Sequence, residues 1–351
     1  MPASPSLAEL GGWAAVLGAL TRGEDLAGEA ASAAMAEILE GSATPAQIAA
    51  FCVSLRMKGE TVEEMAALVS TLLAYAQTVE IEGASELVDT CGTGGDRSGT
   101  VNVSTVAALV VAGAGGRVCK HGNRSASSVC GSADVLEALG VAIDLGPEGV
   151  AACVTATGMG FCFAPRFHSG MRHTGPTRRE LGVPTVFNFL GPLANPARVR
   201  RQALGVSDPA MAERMIGVLA ANGSERALVV YGHDGLDELS TTTTSTVLDL
   251  REGEVRTYVV DPAALGLARA TAGDLKGGDA ATNADLARRV LDGEPGARRD
   301  IVVLNAAAGL VAAGLADDLA TGLEAAVASV DEGRAAAVLD DLVKTSQAHA
   351  G

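Results

Sequence analysis

The sequence predicts an α/β protein, with a small N-terminal helical domain and a large α/β domain built on a mostly parallel central sheet. Two patterns carry this. Up to about residue 80 apolar residues recur only at helical spacing; beyond about residue 85 short apolar runs alternate with helical stretches, the rhythm of strand–helix–strand units. Composition agrees. The 351 residues are 48% hydrophobic and 19% charged, enough for a substantial core, and with aromatics at 3% that core must be Ala, Val and Leu.

The elements follow in order. Leu7, Leu10, Val16, Leu17 and Leu20 share a helical face. Thr44-Pro45 is a cap with proline at the first helical position, and Thr61 with Glu64 is a capping box. Residues 1–80 therefore form the helical domain and 81–351 the α/β domain. Buried strands are expected at 87–91, 117–122, 141–145, 161–164, 203–206, 227–232 and 301–307. Residues 245–250 and 255–260 form an antiparallel hairpin, and roughly 321–346 is helical. The stretch 166–200, rich in Arg, His, Gly and Pro, breaks the rhythm. It reads as an insertion, near 170–200, that packs back on the N-terminal helices and completes their domain. A cleft between the two lobes would suit a ligand.

The net charge of −16 argues against a nucleic-acid binder, so any cationic site must be local and sized for a small polyanion. Cysteines 52, 91, 119, 130, 153 and 162 show neither C-x-x-C nor zinc spacing and read as buried, reduced thiols. The N-terminal residues lack the basic and apolar regions of an export signal, and no apolar run approaches the roughly 18 residues of a membrane span. A cytoplasmic protein with no membrane partner is expected.

Two segments look built to cradle anions. Asp89-Thr90-Cys91-Gly92-Thr93-Gly94-Gly95-Asp96 follows a strand, and Thr100-Val101-Asn102-Val103-Ser104-Thr105 then opens an apolar helix. The glycines let backbone amides close on an anion, and the helix N-terminus adds its positive dipole end. A tight turn with a hydroxyl cap is the plainer alternative. The pattern matches neither the dinucleotide fingerprint nor the Walker A loop. Lys120-His121-Gly122-Asn123-Arg124-Ser125-Ala126-Ser127-Ser128, followed by Gly131-Ser132, also trails a strand. Its two cations, amide and row of hydroxyls can hold many phosphate oxygens, although a polar surface loop could look the same.

Two further segments are weaker alone. Asp237-Glu238, within Asp234–Ser240, can hold Mg²⁺ together with substrate phosphates, or can be a solvated turn. Arg178, in Arg178-Arg179-Glu180-Leu181-Gly182 ahead of an apolar stretch, could meet a planar carboxylate or simply lie on a helix surface. His168 and His173 stand five apart, off the spacing of a helical metal pair, and read as non-ligands.

Taken in order, D-T-C-G-T-G-G-D, T-x-N-V-S-T, K-H-G-N-R-S-x-S-S, R-R-E-L-G, F-N-x-L-G-P-L-x-N-P and G-L-D-E resemble the anthranilate phosphoribosyltransferases, over about residues 10–345. The resemblance implies a fold of the nucleoside phosphorylase/phosphoribosyltransferase type and a homodimer joined through the helical domain. It also implies transfer of the phosphoribosyl group of phosphoribosyl pyrophosphate (PRPP) to anthranilate in tryptophan biosynthesis, with Mg²⁺ as cofactor. Gly92, Gly95, Asp96, Thr100, Asn102, Val103, Ser104, Thr105, Lys120, His121, Gly122, Asn123, Arg124, Ser125, Ala126, Ser127, Ser128 and Ser132 would hold PRPP. Gly92, Asn123 and Arg178 would bind anthranilate. Ser104, Asp237 and Glu238 would be metal ligands, and Lys120 and Asp96 catalytic. His168-Ser169-Gly170 departs from the His-Pro-Ala of many relatives, and losing proline for glycine should loosen that loop.

An aniline nitrogen is unprotonated at neutral pH, so neither a strong base nor a covalent nucleophile is needed. Positioning and electrostatics should carry catalysis. A pyrimidine nucleoside phosphorylase would share the fold but not need the Asp237-Glu238 metal site. Transfer to a substituted anthranilate in secondary metabolism is the other alternative.

Overall fold

The computed structural model describes residues 5–96, 98–125 and 129–351; of the positions singled out above, Ala126, Ser127 and Ser128 lie outside the described residues. The chain opens with helices α1 (Gly12–Thr21), α2 (Gly28–Glu40), α3 (Pro45–Lys58) and α4 (Val62–Ala74). Both expected caps form. Thr44 accepts the Gln47 amide at 3.2 Å with Pro45 at the first helical position, and Thr61 accepts the Glu64 amide at 3.1 Å. Buried Glu64 also accepts the Leu26 amide at 2.8 Å and pairs with Lys58 at 2.9 Å, so one cap ties together three segments.

The α/β part runs β1 (Leu87–Gly92), α5 (Val103–Gly113), β2 (Arg117–Gly122), α6 (Ser132–Ala138), α7 (Pro147–Thr157) and β3 (Met159–Phe163). After α8 (Ala164–Phe167), α9 (Gly175–Leu181) and α10 (Phe187–Leu193) it resumes with β4 (Arg201–Gly205), α11 (Pro209–Ala221) and β5 (Arg226–Gly232). The hairpin β6 (Ser245–Arg251) and β7 (Glu254–Val260) precedes α12 (Ala280–Leu291), α13 (Ala297–Ala313), α14 (Leu319–Asp331) and α15 (Arg334–Ala348).

Among the described residues seven strands lie in the order β3-β2-β1-β4-β5-β6-β7, parallel through β5 and antiparallel for the hairpin. From β1 the chain steps outward to β2 and β3, then returns to place β4 on β1's other side. That reversal opens a crevice at the carboxyl ends of β1 and β4, where parallel sheets bind ligands. Strand alternation divides the core. Leu228 and Val230 face α5 and α13, whereas Leu204, Ala227, Val229, Leu248 and Leu250 join α1–α4, α10 and α11.

Two expected strands are corrected. Residues 301–307 lie in α13, in which every side chain from Ile301 to Ala313 is buried; a helix covered all round shows the unbroken apolar run of an inner strand. Residues 141–145 pair with no strand among the described residues. Val141, Ile143 and Leu145 are buried in alternation, but the Ala142 amide bonds to Ser346 Oγ at 3.0 Å on α15.

The 169–173 turn lies against α2, and Gly170 has a different reason from the expected one. A Cβ on Gly170 would sit 2.8 Å from the Leu39 carbonyl, so glycine permits tight packing against α2 rather than a loose loop. His173 packs over Gly41 in the same seam. All six cysteines are buried. No helix among the described residues is long and apolar enough to cross a membrane.

Candidate active site

The expected site residues that the structure describes all line one cleft of about 570 Å³, between the strand ends and the α9–α10 wall. Its floor depends on two paired glycines. Gly92 ends β1 opposite Gly205 of β4. A Cβ on Gly92 would lie 2.5 Å from Asp237 Oδ2, and one on Gly205 would collide with the Asp237 carbonyl. Their bareness lets the segment after β5 lie across the strand ends. Gly94 and Gly95 then turn with φ of 65° and 86°, the left-handed region glycine tolerates, and the Gly94 amide donates to Asp237 Oδ2 at 2.6 Å.

Asn102 stands directly before α5, but its side chain does not cap the helix. Ser104 and Thr105 occupy the first turn, as the spacing implied. The Asp96 carboxylate accepts the Ser98 amide at 3.1 Å.

Lys120 is buried in β2, and its ammonium donates to the Thr90 carbonyl and to Ser104 Oγ, the latter at 3.4 Å. Beneath it lies Asp89, which accepts the His121 amide at 3.2 Å and the Asn195 side chain at 2.8 Å. Burial raises the Asp89 carboxyl to about 6, opposed by the Lys120 charge and these hydrogen bonds. Asn195 also donates to the Cys119 carbonyl at 2.8 Å, tying β1 and β2 to the turn after α10. Sequence reasoning assigned no role to Asp89 or Asn195. The available signal was an acid and an amide in otherwise apolar settings.

His168 was also passed over, yet it lines the cleft beside His121 with ring centroids 5.1 Å apart. His121 Nδ1 donates to the Gly191 carbonyl at 3.0 Å, and His168 Nε2 to the Ala194 carbonyl at 2.9 Å. A carbonyl can only accept, so these bonds fix both tautomers. His121 Nε2 and His168 Nδ1 are left as buried acceptors with no hydrogen-bond partner among the described residues. Burial, reinforced by His168, lowers His121 to about 3.

Past β2, Arg124 is engaged. It pairs with Asp134 at 2.8 Å and Glu137 at 2.9 Å, and these carboxylates hold its guanidinium well above its usual range. Its charge is therefore offset by two carboxylates of α6. Asp134 also accepts the Gly131 amide at 2.9 Å, and Ser132 Oγ donates to the Asn123 carbonyl at 3.2 Å.

Asp96, Asp237 and Glu238 crowd the opposite lip. Burial, then the Asp96 charge, raises Asp237 to about 7; burial, then Asp237, pushes Glu238 well above the carboxylate range. Such repulsion fits a divalent cation. Among the described residues no three His, Cys, Asp or Glu side chains form a group that could hold a metal. Further oxygens must come from water or a phosphate-bearing substrate, the coordination Mg²⁺ favours.

Across the cleft, Arg178 lies 5.7 Å over the Phe187 ring, and its Nη2 donates to Asn188 Oδ1 at a long 3.5 Å. Burial lowers its pKa. The guanidinium thus sits half-buried on an aromatic wall with donors to spare.

This architecture has known counterparts. Residues 84–336 match the model for "Glycosyl transferase family, a/b domain", and residues 14–76 that for "Glycosyl transferase family, helical bundle domain". The chain is 53% identical to the anthranilate phosphoribosyltransferase of Salinispora arenicola, over 96% of this chain and 97% of that one. The crystal structure of anthranilate phosphoribosyltransferase from Thermus thermophilus superposes with a TM-score of 0.89 at 41% identity, covering 95% of this chain and 99% of that one. The Saccharomyces cerevisiae enzyme, solved in complex with PRPP and Mg, gives a TM-score of 0.82 at 27% identity, with 92% of each chain covered.

Proposed function

The chain belongs to the family of anthranilate phosphoribosyltransferases, and we propose that its cleft transfers the 5-phosphoribosyl group of PRPP to the amine of anthranilate, giving N-(5-phosphoribosyl)anthranilate and pyrophosphate in tryptophan biosynthesis. The observation that carries this reading is the convergence at one switch point of a helix N-terminus, a buried lysine and a crowded carboxylate pair. Only a polyanion bound with a cation balances all three.

The residues divide the work. Backbone amides from the Gly92–Gly95 turn and the first turn of α5 would hold phosphate oxygens, with Asn123 and Ser132 adding polar contacts. Lys120 already sits at Ser104 Oγ, where its charge would offset that growing on the pyrophosphate as the C1–oxygen bond breaks. Asp237 and Glu238, with Ser104, would hold Mg²⁺, which supplies charge neutralisation on the leaving pyrophosphate. Arg178 would pair with the anthranilate carboxylate while Phe187 backs the ring. The anthranilate nitrogen attacks C1 as the C1–oxygen bond to the departing pyrophosphate breaks on the opposite face, and the nitrogen's surplus proton passes to solvent water. His121, neutral at physiological pH, would accept a hydrogen bond from the amine and hold its lone pair toward C1; with a pKa of about 3 it orients the amine rather than acting as its base.

We read residues 1–80, completed by the insertion near 170–200, as the helical domain through which a cytoplasmic homodimer forms. Val53 and Met57 of α3 leave apolar side chains in solvent there. Residues 81–351 would form the PRPP-binding domain. The deciding assay follows the loss of anthranilate fluorescence on adding PRPP and Mg²⁺, with uracil or thymidine plus phosphate as controls. Turnover confined to the controls would replace the transferase reading with a phosphorylase.

A further inference from the structure

Three segments far apart in sequence meet at Asn283, in the first turn of α12. It is only 3% exposed and does not line the cleft. Its Oδ1 accepts the Gly278 amide at 2.7 Å, and its Nδ2 donates to Asn102 Oδ1 at 2.9 Å. Asn102 passes the constraint on, since its Nδ2 donates to the Cys130 carbonyl at 3.1 Å. The loop before α5 and the loop after β2 are thereby joined through one amide, itself held from behind by α12.

The surrounding backbone repeats the arrangement. The Val101 amide donates to the Leu275 carbonyl at 3.0 Å and the Gly277 amide to the Gly99 carbonyl at 2.9 Å, while Thr100 bridges to Lys276. A Cβ on Gly277 would lie 3.0 Å from the Thr100 carbonyl and run into Asn283 Oδ1, so only glycine lets the two stretches meet. With its amide consumed on both sides, the Asn102 side chain serves as a joint more than as a free phosphate ligand.

We infer that Asn283 is a positioning residue: through Asn102 it sets the spacing of the two loops that receive the phosphoribosyl donor. This rests on the transferase reading above. Releasing the joint leaves the cradle sampling other spacings, and the donor's apparent affinity falls by the fraction of time the competent one is lost. The Arg178 wall lies across the cleft and is untouched.

The test compares full-length wild type with Asn283→Ala, Asn283→Asp, Asn102→Ala and the double alanine variant, measuring both KM values, kcat and Tm. Asn283→Ala should raise the PRPP KM about tenfold, the loss of roughly one net hydrogen bond, with the anthranilate KM within about twofold. The double variant should match Asn102→Ala alone, because both act through one joint. Asn283→Asp keeps the acceptor for Gly278 but turns an oxygen toward Asn102 Oδ1; it should shift the same way, and it stands in if the alanine variant does not fold. A lowered Tm with an unchanged PRPP KM, an equal rise in both KM values, or additive effects in the double variant would overturn the inference. A wild type that transfers nothing to anthranilate would instead sink the transferase reading. Calorimetric titration with PRPP would then still compare Asn283→Asp with wild type.

Discussion

The two walls of the cleft are held in different ways. On the strand-end side the charged groups are buried and hydrogen-bonded: Lys120 has the Thr90 carbonyl and Ser104, Asp89 has an amide and Asn195, and Asp237 has the Gly94 amide. On the helical side, Arg178 rests half-buried on Phe187 with one long hydrogen bond. The first wall is preorganised at the cost of burying charge, the arrangement electrostatic catalysis needs. The second keeps its donors uncommitted, which suits recognition of a substrate carboxylate. Damage to the first should fall on turnover and damage to the second on one substrate's KM.

The sharpest test is Lys120→Ala. Removing the buried cation should lower kcat by roughly a hundredfold to a thousandfold with little change in the anthranilate KM. Near-normal turnover would show that the strand-end wall is scaffolding. Next comes Asp237→Asn with Glu238→Gln, which relieves the carboxylate repulsion but removes the cation site. Turnover at limiting Mg²⁺ should fall roughly tenfold to a hundredfold and recover partly at high Mg²⁺; wild-type rates at limiting metal would remove the pair from the site.

Arg178→Ala probes the other wall. Loss of a charged hydrogen bond, about 1.5–3 kcal/mol, should raise the anthranilate KM roughly tenfold to a hundredfold and leave the PRPP KM nearly unchanged. A parallel rise in both would erase the distinction between the walls.

The smallest expected effect is on stability against pH. Burial, reinforced by His168, lowers His121 from its ordinary 6.5 to about 3 in the fold. Between those values the unfolded chain binds more protons, so His121's contribution is complete above pH 6.5 and drains away as pH falls toward 3. Asp89, raised from 3.8 to about 6, works the other way: its protonation favours the fold as pH falls through that window. His121→Gln should therefore flatten the acid side of a plot of denaturation midpoint against pH. An unchanged acid limb would mean that His121 is not held neutral.

What was legible in the chain depended on how local its cause was. Helix caps at Thr44 and Thr61 involve partners three residues away, and both formed. Strands β1 and β2 announced themselves as apolar runs ending in glycine, and the hairpin as two runs with a short turn. The apolar run at 301–307 misled because burial on all sides erases the helical period. In the site, the glycines and charged groups of the anion-cradling segments were legible because each motif is contiguous. Gly205, Asn195, His168 and Asn283 were not, for each acquires its role only from a residue distant in sequence.

The sequence by itself determined the family, the α/β rhythm and which residue types face phosphate, because these reside in short spacings and in the chemistry of single side chains. Tertiary structure alone decided that Arg124 pairs with Asp134 and Glu137, that Gly205 must be bare to admit Asp237, and that Asn102 accepts a hydrogen bond from Asn283. Those outcomes turn on separations of a few ångströms between parts of the chain that only the packed sheet and helices bring together.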